Sequence, residues 1–190
     1  MSPHKMENAF FDFDEVFELR KKESDEFYDE IQKDFNCEDE KNVQRQAFAG
    51  LLWNKQFYHY KVGKWLNGDP NFPVERNFEH HVRNVEWKHM NCKDIISMPD
   101  KWEYPWFATW DLAFHCVSFS ILDPDFAKNQ LQLLTKEWYM HPNGQLPAYE
   151  WDFSDVNPPV HAWSTFRVFK IDEKINGQPD THFLESVFQK

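Results

Sequence analysis

Carboxyl groups set among aromatic rings are the pattern in this sequence most suited to chemistry. Asp111 lies in Tyr104-Pro-Trp-Phe-Ala-Thr-Trp-Asp-Leu-Ala-Phe-His115, where an aromatic stretch runs into an apolar one. A carboxyl group ringed by Trp106, Phe107 and Trp110 is expected to be desolvated, which favours the protonated form that a general acid needs. The same position also suits a helix N-cap, its side chain bonding amides two or three residues on. A second acidic cluster is Pro147-Ala-Tyr-Glu-Trp-Asp-Phe-Ser-Asp155, in which Glu150, Asp152 and Asp155 are interleaved with Tyr149, Trp151 and Phe153. Extended, that alternation sends carboxylates one way and rings the other. A solvated acidic loop anchored by its rings is the competing reading. Two carboxyl groups flanking a glycosidic bond are the minimum for sugar hydrolysis, one protonating the leaving oxygen and the other activating water or attacking.

Other chemistries find less support. His80, His81, His89 and Cys92 crowd one polar segment, but adjacent histidines diverge by about 100° on a helix, and neither H-E-x-x-H nor a paired C-x-x-C accompanies them. No metal site is expected. Cys116 follows His115 on an apolar stretch, which suits a buried, inert thiol. The five glycines contain no G-x-G pair, and Asp69-Pro70 stands where a phosphate loop needs Lys and Ser/Thr. With 21 Lys and Arg against 32 Asp and Glu, the formal charge is −11, which argues against a nucleic-acid binder. Three unevenly spaced cysteines make no disulfide framework, no secretory signal is visible, and no run approaches the roughly 18 apolar residues of a membrane span. These features predict a soluble cytoplasmic protein with no membrane partner.

Nine Trp, six Tyr and 19 Phe sit in a chain of mean hydropathy −0.78, so rings rather than aliphatics must supply both core and contact surface. The elements that would position the carboxylates read as helices. Phe13, Val16, Phe17, Phe27, Ile31 and Phe35 recur at helical steps from about Asp12 to Phe35; a second helix is predicted from about Glu40 to Tyr60. Asn67 to Pro73 breaks the chain, and Val74 to Met98 shows neither period and predicts an irregular loop. Helices follow from about Asp111 to Leu122, Phe126 to Tyr139 with Asp125 as cap, and Val160 to about Ile171 with Asn157 as cap. The last begins near Asp180 and is still periodic at the final residue, as if the chain were cut within it. Helix hairpins whose apolar sides need neighbours predict an all-α chain, part of a helical toroid.

Three stretches carry a resemblance. Leu51-Leu-Trp-Asn-Lys-Gln-Phe-Tyr-His-Tyr60, Ser97 to His115, and Glu137 to Trp151, with Asn157-Pro-Pro-Val-His-Ala-Trp163, resemble glycoside hydrolase family 63, in particular the branch with a mannosylglycerate-hydrolase-like catalytic domain. The resemblance runs from about Asp12 to the end. It implies a partial (α/α)6 toroid, residues 1–190 being the N-terminal part of one catalytic domain, and hydrolysis of an α-linked glucoside or mannoside with inversion. Asp111 occupies the family's general-acid position; Trp53, Gln56, Trp106, Trp110, Gln145, Trp151, Asn157 and Trp163 match sugar-facing positions, and Glu150 is a candidate to hold a sugar hydroxyl. The family's general base is a later glutamate, which predicts a chain inactive alone and completed by the remainder of the domain. The carbohydrate is the expected partner, and this chemistry needs no cofactor. From a different class, the same aromatic platform would serve a non-catalytic carbohydrate-binding or interaction module.

Overall fold

The computed structural model describes residues 10–71, 84–85, 87–104, 107–148 and 157–188. It divides into two compact units, Met1–Ala49 and Gly50–Lys190.

In the first unit, α1 (Phe13–Ile31) opens with Asp14 and Glu15 at the positive end of its dipole, and α2 (Glu38–Trp53) opens with three acidic residues. The buried ring is Tyr28. The Arg45 guanidinium lies over it, 4.7 Å from the ring centre, while pairing with Asp25 at 2.7 Å. The periodic face expected to be core is instead largely open: Phe13, Val16 and Phe17 are exposed.

The second unit does not fit the all-α toroid expected from the sequence. Among the described residues, seven helices are accompanied by a two-stranded antiparallel sheet, β1 (Lys55–Lys61) and β2 (Asn91–Ser97), paired Lys55 to Ser97 and Lys61 to Asn91. The helix predicted to run through Tyr60 stops at Trp53 because Phe57, Tyr58 and Tyr60 favour a pleated surface. Tyr58 and Tyr60 face the core, and Phe57 and His59 face outward. The strand within the predicted Val74–Met98 loop was hidden by one residue. Cys92, Asp94 and Ile96 alternate inward, and Asp94 spoils the apolar pattern; its carboxylate accepts the Tyr139 hydroxyl at 3.2 Å. Between the strands, α3 (Val62–Asn67) buries Val62 and Leu66.

Next come α4 (Thr109–Leu122), α5 (Pro124–Leu134), α6 (Val160–Asn176) and α7 (Thr181–Phe188). The α4–α5 hairpin turns on one residue, Asp123, whose carboxylate accepts the Phe126 N–H at 3.0 Å and the Lys55 ammonium at 2.7 Å. Asp123, not Asp125, is the cap. Leu112, Cys116 and Phe119 of α4 meet Ala127, Leu131 and Leu134 of α5 and Val168 of α6 in one buried cluster, with Ile96 of β2. Gly177, in the left-handed region at φ 72°, ends α6, as expected of a C-terminal glycine. No helix among the described residues is long and apolar enough to cross a membrane.

Two polar features lock this unit. Gln130, buried on α5, takes the Ser97 N–H on its Oε1 at 3.2 Å and donates Nε2 to the Ile95 carbonyl at 3.0 Å. It therefore covers the outer edge of β2 as another strand would. Lys128 bridges buried Asp172 of α6 and Asp180, the cap of α7, each at 2.8 Å.

Gln130→Leu leaves the buried Ser97 N–H unpaired and removes the bond to the Ile95 carbonyl, and is expected to cost about 1–3 kcal/mol, read from urea unfolding. The hydrogen bond from Lys128 holds the Asp180 carboxyl below its ordinary value of 3.8. A depressed folded-state value means this contribution is complete above about pH 4 and disappears as pH falls through the folded value. Lys128→Met should therefore lower stability at pH 7 by about 3 kcal/mol, since buried Asp172 loses its cation, and should flatten the acid limb of the stability–pH curve.

Candidate functional site

The first turn of α4 carries the strongest sequence candidate, and its position is fixed by backbone chemistry. Helix-initiating N–H groups need partners from outside the helix. The N-cap, Ala108, has no side chain that can accept a hydrogen bond. A strap at 145–148 fills the role: the Thr109 N–H donates to the Ala148 carbonyl at 3.0 Å and Thr109 Oγ1 donates to the Pro147 carbonyl at 2.6 Å. Asn157 grips the strap from the far side, its Nδ2 donating to the carbonyls of Leu146 at 3.0 Å and Pro147 at 2.8 Å. Asn157 therefore does not cap α6, as its position before that helix suggests; the N-cap is Pro159, without a side-chain bond.

Asp111 is accordingly the third residue of α4 rather than its cap. Its charge suits the positive end of the helix. The side chain is half-buried, and among the described residues its carboxylate accepts no hydrogen bond and pairs with no cation. Trp110 beside it is 41% exposed, enough for its ring to meet a ligand. Trp163, on the first turn of α6, is 48% exposed and packs edge-on against Phe114 of α4, ring centres 5.7 Å apart. The first turn of α6 thus packs against the second turn of α4. Gln145 begins the strap, its N–H donating to Asn143 Oδ1 and its carbonyl accepting from the His141 N–H, each at 2.9 Å.

The remaining candidates separate. Trp53 ends α2 and Gln56 lies in β1, and both have contacts with residues 100–101. Gln56 Nε2 donates to the Asp100 carbonyl at 3.3 Å, and the Lys101 ammonium lies 4.5 Å from the Trp53 ring centre. Trp106, Glu150 and Trp151 lie outside the described residues, as do His80 and His81. Of the metal candidates that are described, burial pushes the Cys92 thiol up to about 12, and His89 Nε2 accepts the Trp87 indole N–H at 2.6 Å. No cluster able to hold a metal ion occurs among the described residues. Burial also pushes the Cys116 thiol up, which fits an inert core residue.

Two side chains near Asp111 escaped sequence reading. His115 stands four residues on, one helical turn away, and its Nδ1 is 2.7 Å from Ser97 Oγ at the end of β2. Burial pushes the imidazole below its ordinary 6.5, against the opposing pull of the Asp111 charge. The i,i+4 spacing was visible; Ser97 was not, because β2 read as a loop. A separate cleft of about 420 Å³ lies among 135–146, α6 and α7, lined by Leu146, Thr165, Phe166 and Val187 but not by Asp111.

Asn157→Asp preserves shape but turns a donor into an anion facing two carbonyls. It is expected to lower stability by about 2 kcal/mol, read from the urea midpoint, with no change in helix content by circular dichroism.

No protein-family profile matches the chain, and no solved structure matches it. It is 56% identical over 180 residues to "Uncharacterized protein YMR196W" of Saccharomyces cerevisiae, a match covering 94% of this chain and 16% of that protein. The chain thus resembles a small part of a much longer yeast polypeptide.

Proposed function

We propose that this chain supplies the proton-donating side of an α-glycoside hydrolase site, with Asp111 as general acid in a reaction that inverts the anomeric centre. The observation that carries the reading is a half-buried carboxylate without a described polar partner, on a turn fixed by the 145–148 strap that also presents the exposed Trp110. The apolar face of a pyranose packs on such rings; Trp110 is on the first turn of α4, and Trp163, on the first turn of α6, meets Phe114 one turn further along α4. The resemblance of Tyr104 to His115 to glycoside hydrolase family 63 agrees with this placement.

In the proposed reaction, protonated Asp111 gives its proton to the glycosidic oxygen as the bond to the anomeric carbon breaks. A water, deprotonated by a second carboxylate, adds from the opposite face. Inversion needs the two carboxyl groups about 6.5–9.5 Å apart. Among the described residues, the polar groups around the α4 turn are amides, hydroxyls and an imidazole. The resemblance to glycoside hydrolase family 63 assigns the base to a different glutamate, and the acidic residues Glu150, Asp152 and Asp155 lie outside the described residues. The exposed indoles equally favour a second reading, a carbohydrate-binding module without catalysis.

Asp111→Asn separates the two in the longest form of the protein that carries this sequence. Hydrolysis of an aryl or alkyl α-glycoside should fall by about 10²- to 10⁴-fold, with sugar affinity by calorimetry unchanged. Unaltered hydrolysis overturns the acid assignment, and binding without any wild-type hydrolysis establishes the module.

A further inference from the structure

Ser97, His115 and Asp111 have the composition of a nucleophilic triad, yet the arrangement does not suit nucleophilic chemistry. Ser97 is 1% exposed at the end of β2, its N–H held by Gln130. No substrate carbonyl reaches that oxygen, so the hydroxyl serves as an anchor for the imidazole.

We propose that His115, fixed by its hydrogen bond to Ser97, is a positioning residue for Asp111. On this view Gln130 and Ser97 anchor His115, and His115 anchors the stretch of α4 whose preceding turn carries Asp111. This rests on the assignment of Asp111 as proton donor. Gln130 fixes Ser97 by both a backbone N–H and the neighbouring Ile95 carbonyl; Ser97 fixes the imidazole at 2.7 Å; and the helix places the imidazole one turn from the carboxyl.

The surroundings favour an uncharged ring. From α4 itself, the charge acting on His115 is that of Asp111. On the packed elements, Lys93, Asp125, Arg167, Lys170 and Lys174 are exposed, and the less exposed charged groups are engaged elsewhere. Asp94 of β2 takes the Tyr139 hydroxyl, Lys128 of α5 serves Asp172 and Asp180, and His161 of α6 bonds the Leu131 carbonyl. Burial disfavours the imidazolium. A cation beside Asp111 would stabilise its carboxylate and hold back the proton it must give; a neutral, anchored imidazole orients the turn without doing so.

The test compares His115→Leu, which loses the link, with His115→Asn, whose amide can still meet Ser97. In the longest form of the protein carrying this sequence, His115→Leu should lower kcat for an alkyl α-glycoside by about tenfold with KM unchanged, since the leaving alkoxide needs the acid. Hydrolysis of the matching α-glycosyl fluoride, whose leaving group needs little protonation, should change by less than about twofold, and His115→Asn should recover most of the alkyl-glycoside rate. Equal losses on both substrates, or none on either, overturn the proposal. If the wild type hydrolyses neither substrate, the hydrolase reading fails, and the link is judged on the 190-residue chain by nitrogen NMR of the His115 ring. Ser97→Ala should then change the ring's tautomer balance, and Asp111→Asn should lower its titration midpoint. A ring that responds to neither substitution overturns the link as well.

Discussion

The strap at 145–148 is the constraint on which this arrangement depends. A helix cannot begin in a packed region unless its leading N–H groups find acceptors, and Ala108 offers none from its side chain. The carbonyls of Pro147 and Ala148 take the Thr109 hydroxyl and N–H, and Asn157 holds the strap by two further carbonyl contacts. Four hydrogen bonds thereby join segments nearly 50 residues apart in the chain, from Thr109 to Asn157. Asp111 follows two residues after the helix begins, so its position is inherited from that junction. Trp163 follows six residues after Asn157, and its ring packs on Phe114 of α4.

Beneath this lies a core that is aromatic but conventional in its logic. Phe107, Phe119, Tyr139, Trp87 and Phe183 are nearly or fully buried, and the rings left exposed include Trp53, Trp110 and Trp163. Among the described residues more rings are exposed than buried, so the aromatic excess goes to the surface as much as to the core. Lys55 illustrates how the charged residues are used. Its ammonium pairs with the α4–α5 hinge at Asp123 while lying over the rings of Phe126 and Phe119, 4.0 and 5.1 Å from their centres.

Of the helices of the larger unit, α4 to α7 were legible because their burial follows the 3.6-residue period, as Leu112, Cys116 and Phe119 do on α4, whereas the short α3 was not read. The strands were not. β2 hides an inward carboxylate, Asp94, that accepts from the distant Tyr139 hydroxyl, and β1 follows a helix whose periodic pattern runs on into it. Asp111 was legible by its aromatic context, but its cap role was misjudged, since the acceptors for Thr109 come from a segment almost 40 residues later. Ser97 and Gln130 could not be linked to the site from sequence, because that link passes through the unread strand. The open Phe13–Val16–Phe17 face marks the limit of periodicity, which identifies an amphipathic stripe without saying whether anything covers it.

The central claim is a proton handed from Asp111 to a glycosidic oxygen while water enters from the other face. Proton NMR of the first-formed sugar, released from an α-glycoside by the longest form of the protein carrying this sequence, tests it most directly. The account predicts that the β-anomer appears first and then mutarotates. An α-anomer formed first, or no sugar released from any α-glucoside or α-mannoside, would contradict it.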